Sequence, residues 1–124
     1  MLWTMWTGIG CLMAGLGVAI GAFGAHGLRS RLDAEDMAIF EIGVRYQMYH
    51  ALALIACGLI AVRIDSPAVK AAAILFIVGI LIFSGSLYAL TLSGQRWLGM
   101  VTPIGGLALI AGWAALAFAV LKPA

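Results

Sequence analysis

Glu41-Ile42-Gly43-Val44-Arg45-Tyr46-Gln47-Met48-Tyr49-His50 is the densest run of ionisable and hydrogen-bonding side chains in the chain, with long apolar stretches on either side of it. Wound as a helix, it spreads polar groups over most of its circumference. Lipid tails cannot surround such a segment, because an unsatisfied polar or charged group in hydrocarbon is costly. It needs partners on other helices or a place at headgroup depth, and the rest of the chain must be arranged to provide one or the other.

The composition agrees with that demand. Of 124 residues, 65% are hydrophobic and 10% charged, whereas soluble proteins carry about 25% charged positions. The length allows one domain, and at about 20 residues per span it allows roughly four transmembrane helices. The net charge of +2 is dispersed, and no cluster of Lys and Arg makes a phosphate-sized footprint, which excludes a nucleic-acid partner. Cys11 and Cys57 lie inside apolar runs, where a thiol behaves as a small hydrophobe, and no disulfide is expected between them. Ala22-Phe23-Gly24-Ala25 resembles a signal cleavage site. The run before it lacks a positive start and exceeds the ~7–15 residues of a signal core, so the first helix is expected to be retained.

The apolar pattern predicts helices at about 2–26, 34–62, 68–92 and 98–121, an all-α integral membrane protein built as one four-span domain over residues 1–124. In the first span Trp3 and Trp6 are interfacial anchors, and Gly10, Ala14, Gly17, Gly21 and Gly24 fall on one face. Such a ridge lets another backbone approach closely. The helix is expected to stop at Ala25-His26-Gly27. Asp33 is the expected N-cap of the second span, with Glu35 and Asp36 in its first turn. That span would run about 43 Å, longer than the hydrocarbon is thick, so its first turns stand at headgroup depth. Arg63, Asp65, Ser66 and Pro67 close it, with Lys70 just beyond. The third span carries Ser84, Tyr88 and Thr91 on one face, either as a polar stripe or bonded back to their own helix. After the turn Ser93-Gly94-Gln95-Arg96-Trp97, the fourth span presents Gly105, Ala108, Gly112, Ala115 and Ala119 as a second small-residue stripe. Pro103 is tolerable in its first turns. Lys122-Pro123-Ala124 is read as a simple end.

Short loops make this a four-helix up-and-down transmembrane bundle. The end of the first helix, the start of the second, the end of the third and the start of the fourth then share one membrane side. That side collects His26, Tyr46, Gln47, His50, Ser84, Tyr88 and Thr91 as a candidate site, with Thr102 and Pro103 nearby. A helical wheel puts Gly43, Tyr46, Gln47 and His50 inward. Glu41 and Arg45, an i, i+4 couple in the favourable order, are the candidate rim ion pair beside Tyr49.

Gly21-Ala22-Phe23-Gly24-Ala25-His26-Gly27-Leu28, Tyr46 through Leu54, Phe83-Ser84-Gly85-Ser86-Leu87-Tyr88 and Pro103-Ile104-Gly105-Gly106 occur in this order along the chain. With these stretches the sequence resembles the domain-of-unknown-function 423 family, small bacterial inner-membrane proteins similar also to the eukaryotic transmembrane protein 256 group. The resemblance covers essentially the whole chain. It implies a four-span, multi-pass inner-membrane protein and brings no activity, substrate or catalytic residue.

The function classes can be weighed on the residues themselves. His26 and His50 supply too few ligands for a closed zinc site, and nothing favours opposed haem ligation, so no metal and no cofactor is expected. Ser84 or Ser86 with His50 and Glu41 has no nucleophile elbow or oxyanion motif around it, and an enzyme is not expected. The leading expectation is a non-enzymatic module that binds lipid, a partner membrane protein, a larger complex or its own copies. The alternative is a small transporter, or a protein that binds a proton or polar ligand, in which the His, Tyr and Gln cluster does the work. Orientation rests on Arg29, Arg31, Arg45 and Arg96 at the polar end against Arg63, Lys70 and Lys122 at the other, a narrow margin that places both termini outside the cytoplasm.

Overall fold

In the computed structural model, which describes residues 2–122, the four apolar runs form four long helices. They are α1 (Leu2–Phe23), continued by a wide π-helical turn over Gly24–Leu28; α2 (Ala34–Ala61); α3 (Pro67–Ser93); and α4 (Thr102–Leu121), entered through a 3-10 turn over Arg96–Met100. Counted with these turns, the spans run 26 to 28 residues, about 40 Å at 1.5 Å per residue. That exceeds the ~30 Å of hydrocarbon, and the excess stands among the headgroups. The protein is therefore an all-α, multi-pass membrane protein, with no strand among the described residues. Pro123-Ala124, expected from the sequence to be part of a simple end, lies outside the described residues.

The helix limits follow local chemistry. The carboxylate of Asp33 accepts from the amide of Asp36 at 2.8 Å, capping α2. Ser66 caps α3 by accepting from the amide of Ala68 at 3.1 Å, and Pro67 occupies the first turn, where no amide is missed. Gly94, at φ 76°, ends α3 in the left-handed conformation that other residues resist. The first helix departs from its expected stop. Gly27 does not end it; the chain widens into the π-helical turn and carries on to Leu28. Leu28 is thereby buried against Met37 and Phe40 of α2, and its carbonyl accepts from the amides of Arg31 and Leu32, both at 2.9 Å. Burial of one leucine against α2 outweighs the local preference of glycine to stop.

Each helix packs along its neighbour in sequence, α1 on α2, α2 on α3 and α3 on α4. Among the described residues α1 and α4 share no comparable seam, so the bundle is open rather than closed into a ring. The small-residue ridges make the two outer seams. A Cβ at Gly10 would lie 2.7 Å from Ile55 and 2.8 Å from the carbonyl of Ala51, and one at Gly17 would lie 2.7 Å from the sulfur of Met48. Gly21 faces Val44 and Gly24 faces Phe40 in the same seam. In α4, Gly105 sits on the backbone of Phe83 and Gly112 on the ring of Phe76. Ala14 and Ala108 are half-buried on the same two faces. Phe76, Leu54, Val69 and Cys57 form the fully buried centre, and Trp6 joins it from α1. The outward face is apolar, with Leu12, Leu107 and Met100 largely exposed, which suits lipid and not water.

Candidate functional site

α2 supplies the middle of the polar end, and its buried residues reach in three directions. Gln47 lies between α1 and α3. Its Nε2 donates to the carbonyl of Met13 at 2.9 Å, and its Oε1 accepts from the hydroxyl of Tyr88 at 2.6 Å. The carbonyl of Gly43 accepts from the hydroxyl of Ser84 at 2.6 Å. Only a glycine allows that approach, because a Cβ at position 43 would stand 2.8 Å from the Tyr88 ring. Phe40 rests on the other part of the same ring, with centroids 5.2 Å apart.

Deeper in the membrane, His50 joins α2 to α4. Its Nδ1 is 2.7 Å from the carbonyl of Tyr46, and its Nε2 is 3.0 Å from the indole nitrogen of Trp113. A carbonyl only accepts and an indole N–H only donates, so the proton sits on Nδ1 and the imidazole is neutral. Phe76 packs against both the imidazole and the Trp113 ring, at 5.6 and 5.0 Å between centroids.

Toward the headgroups, Ser86 of α3 meets Thr102 of α4, hydroxyl to hydroxyl at 2.5 Å. At the rim Arg96 donates through both terminal nitrogens to the two oxygens of Asp36, at 2.8 and 2.9 Å. That contact ties the start of α2 to the entry of α4, which places both on one membrane side. Among the described residues, no buried side-chain nitrogen or oxygen lacks a partner.

The expected cluster is thus brought together in part. Gln47, His50, Ser84 and Tyr88 all reach across to other helices. Tyr46, expected to face inward, is instead at the edge, 37% exposed, with its ring tilted against that of Phe83 at 4.7 Å between centroids. α3 lies closer to the Gly43 side of the wheel, which leaves the Tyr46 side partly open to lipid. Thr91 is buried but bonds back to its own helix, at 3.0 Å from the carbonyl of Leu87 and 3.2 Å from that of Tyr88. His26 does not join the others. It rides on the exposed side of the π-helical turn, which rotates it outward, and has no hydrogen bond to any of them.

The rim ion pair also differs from expectation. Among the described residues the ion pair is Arg96 with Asp36, not Glu41 with Arg45. Glu41 and Arg45 both point outward, beside a groove between α1 and α2. Trp113, Asp36 and Arg96 are the members that sequence reasoning missed. A signal existed only for the last two, as opposite charges at the same membrane end.

Comparison with known proteins agrees with this architecture. The family described as "protein of unknown function (DUF423)" matches residues 20–106. A UPF0382 membrane protein of Staphylococcus epidermidis is 48% identical over 92% of this chain and 93% of its own length. The UPF0382 membrane protein YwdK of Bacillus subtilis is 39% identical over 92% of this chain and 94% of its own. The UPF0382 inner membrane protein YgdD of Escherichia coli is 40% identical over 78% of this chain and 74% of its own. No solved structure matches. A family match spanning well over half the chain, with relatives aligned nearly end to end, means that the chain belongs to the DUF423 family of proteins of unknown function.

Proposed function

We propose that this chain is a single four-span domain of the bacterial inner membrane that works as a non-enzymatic module, binding a membrane neighbour rather than transforming a substrate. One observation carries the reading. Gln47, His50, Ser84 and Tyr88 are spent on bonds between helices, while the charged Glu41 and Arg45, which bond no described residue, face out. A proton relay through His50 would first have to break its bond to Trp113. A nucleophile at Ser84 would have to leave the carbonyl of Gly43. Both requirements favour a scaffold. The inner-membrane placement is supported by the Escherichia coli relative, whose name calls it an inner membrane protein.

The test is recovery of the tagged full-length chain in mild detergent, with an unrelated four-span protein as control. The module reading expects a specific protein or lipid that is enriched over the control. A bare monomer with neither would overturn it. In proteoliposomes the transporter alternative expects pH-dependent flux that a folded His50→Ala variant abolishes, and such flux would replace the module reading.

A further inference from the structure

Glu41 and Arg45 are one turn apart on the outward side of α2, a spacing of about 5–6 Å between Cβ atoms. Their order favours an intrahelical pair, yet neither bonds the other or any other described residue. They lie further into the bilayer than Asp36, Glu41 by about 7 Å and Arg45 by about 13 Å at 1.5 Å per residue. Charges at the edge of the hydrocarbon need partners. A groove of about 260 Å³ runs beside them between α1 and α2, floored by Gly21, Gly24, Phe40 and Val44. Glu41 is shared with a second hollow of about 390 Å³ nearer the headgroups, which Arg29 also lines. The groove is floored by apolar residues and carries Glu41 at mid-length and Arg45 at its inner end, a cation-binding and an anion-binding group side by side.

We propose that this groove holds one phospholipid whose headgroup carries both a phosphate and a primary ammonium, with the phosphate on Arg45 and the ammonium on Glu41. The charge complementarity selects that chemistry. An ethanolamine headgroup separates phosphate from ammonium by two carbons, which suits opposite charges one helical turn apart. A glycerol headgroup offers Glu41 no cation. A choline headgroup offers a cation that cannot donate a hydrogen bond to the carboxylate. The acyl chains then descend along the exposed Tyr49 and Leu52, deeper on α2 than Arg45, and add affinity that a free headgroup in solution could not gain. This inference rests on the module reading and names the ligand chemistry of one face.

Native mass spectrometry of the full-length protein, titrated with phosphatidylethanolamine, phosphatidylcholine and phosphatidylglycerol of identical acyl chains, tests it. The first phosphatidylethanolamine adduct should form about tenfold more tightly than the other two, a difference well within the reach of one charge-assisted contact. Glu41→Gln should erase the preference, and Arg45→Gln should weaken all three lipids together, since each presents the same phosphate. Both side chains are exposed and unpaired, so these variants should unfold at the wild-type midpoint. Equal binding of the three lipids by the wild type would overturn the proposal without any variant. So would an unchanged preference in Glu41→Gln, or competition by soluble phosphoethanolamine as strong as by the lipid. Enrichment of a specific protein partner together with equal lipid binding would overturn this inference alone and leave the module reading standing.

Discussion

The indole N–H of Trp113 donates to Nε2 of His50 at 3.0 Å, and this contact fixes both the tautomer of the imidazole and the register of α4 against α2. With Nδ1 given to the carbonyl of Tyr46, His50 has no nitrogen left over. Trp113→Phe keeps the aromatic packing on Phe76 but removes the donor. The expected loss is about 1 kcal/mol of stability in detergent, the scale of one interhelical hydrogen bond. Nitrogen NMR of the wild type should find Nδ1 protonated and Nε2 not. The opposite tautomer would show that Trp113 is not the donor in solution.

Gln47 couples three helices, since its amide reaches Met13 in α1 and its carbonyl oxygen takes the hydroxyl of Tyr88 in α3. Tyr88→Phe should destabilise by about 1 kcal/mol and Gln47→Leu, which also loses the bond to Met13, by more; the double variant should cost clearly less than their sum, because both remove the Tyr88–Gln47 bond. Chemical or thermal unfolding of the four proteins in one detergent measures the cycle. Strict additivity would mean that the pair is not formed.

Much of this was legible in the chain, and the illegible parts have physical reasons. The up-and-down argument brought Gln47, Ser84 and Tyr88 to one end because helix direction is set by short loops alone. Asp33 was readable as a cap because capping is local. Trp113 was not, since it sits among Gly112, Ala114 and Ala115 in an apolar run, where a tryptophan reads as lipid-facing. Its pairing with His50 depends on the depth and rotation of two helices that are not sequence neighbours. His26 failed for the converse reason. A π-helical turn holds one more residue than an α-helical turn, so it rotates its side chains off the face that regular helical spacing assigns to them. Glu41 and Arg45 show that spacing permits a pair without forming one.

Glycines that touch another helix should behave differently from those that face lipid. Gly105 lies on the backbone of Phe83, which cannot step aside as a side-chain tip can, whereas Gly15 has nothing near its Cβ position. Gly105→Ala should cost about 1–3 kcal/mol through overpacking. Gly15→Ala should be neutral or stabilising by up to about 1 kcal/mol, since the added Cβ meets nothing and alanine favours the helix. Unfolding midpoints of the two variants decide the point, and equal effects would contradict the α3–α4 seam.

Membrane sidedness comes from the same packing. In a variant lacking Cys11 and Cys57, single cysteines placed at Arg31 and Gln95 should react with a membrane-impermeant thiol reagent from one side, and one placed at Asp65 from the other. The positive-residue count puts Asp65 outside the cytoplasm together with the termini. Labelling of Arg31→Cys and Gln95→Cys from opposite sides would break the up-and-down topology. Labelling of Asp65→Cys from the cytoplasm would reverse only the orientation.

Asp36 and Arg96 close the polar end at its rim, with both terminal guanidinium nitrogens engaged and the Arg96 side chain 60% exposed. The exposure means that salt screens the pair, so its value lies more in geometry than in energy. A lysine keeps the charge but cannot form the fork. Arg96→Lys should therefore loosen the turn before α4, seen as faster hydrogen exchange of the amides from Gln95 to Val101, with Asp36→Asn giving the same result. The exchanged pair, Asp36→Arg with Arg96→Asp, should restore part of the protection, and rising salt should narrow the gap between wild type and Arg96→Lys. If Arg96→Lys exchanges as slowly as the wild type, the bidentate contact to α2 does not hold the entry of α4, and the Ser86–Thr102 contact with α3 must be holding it instead.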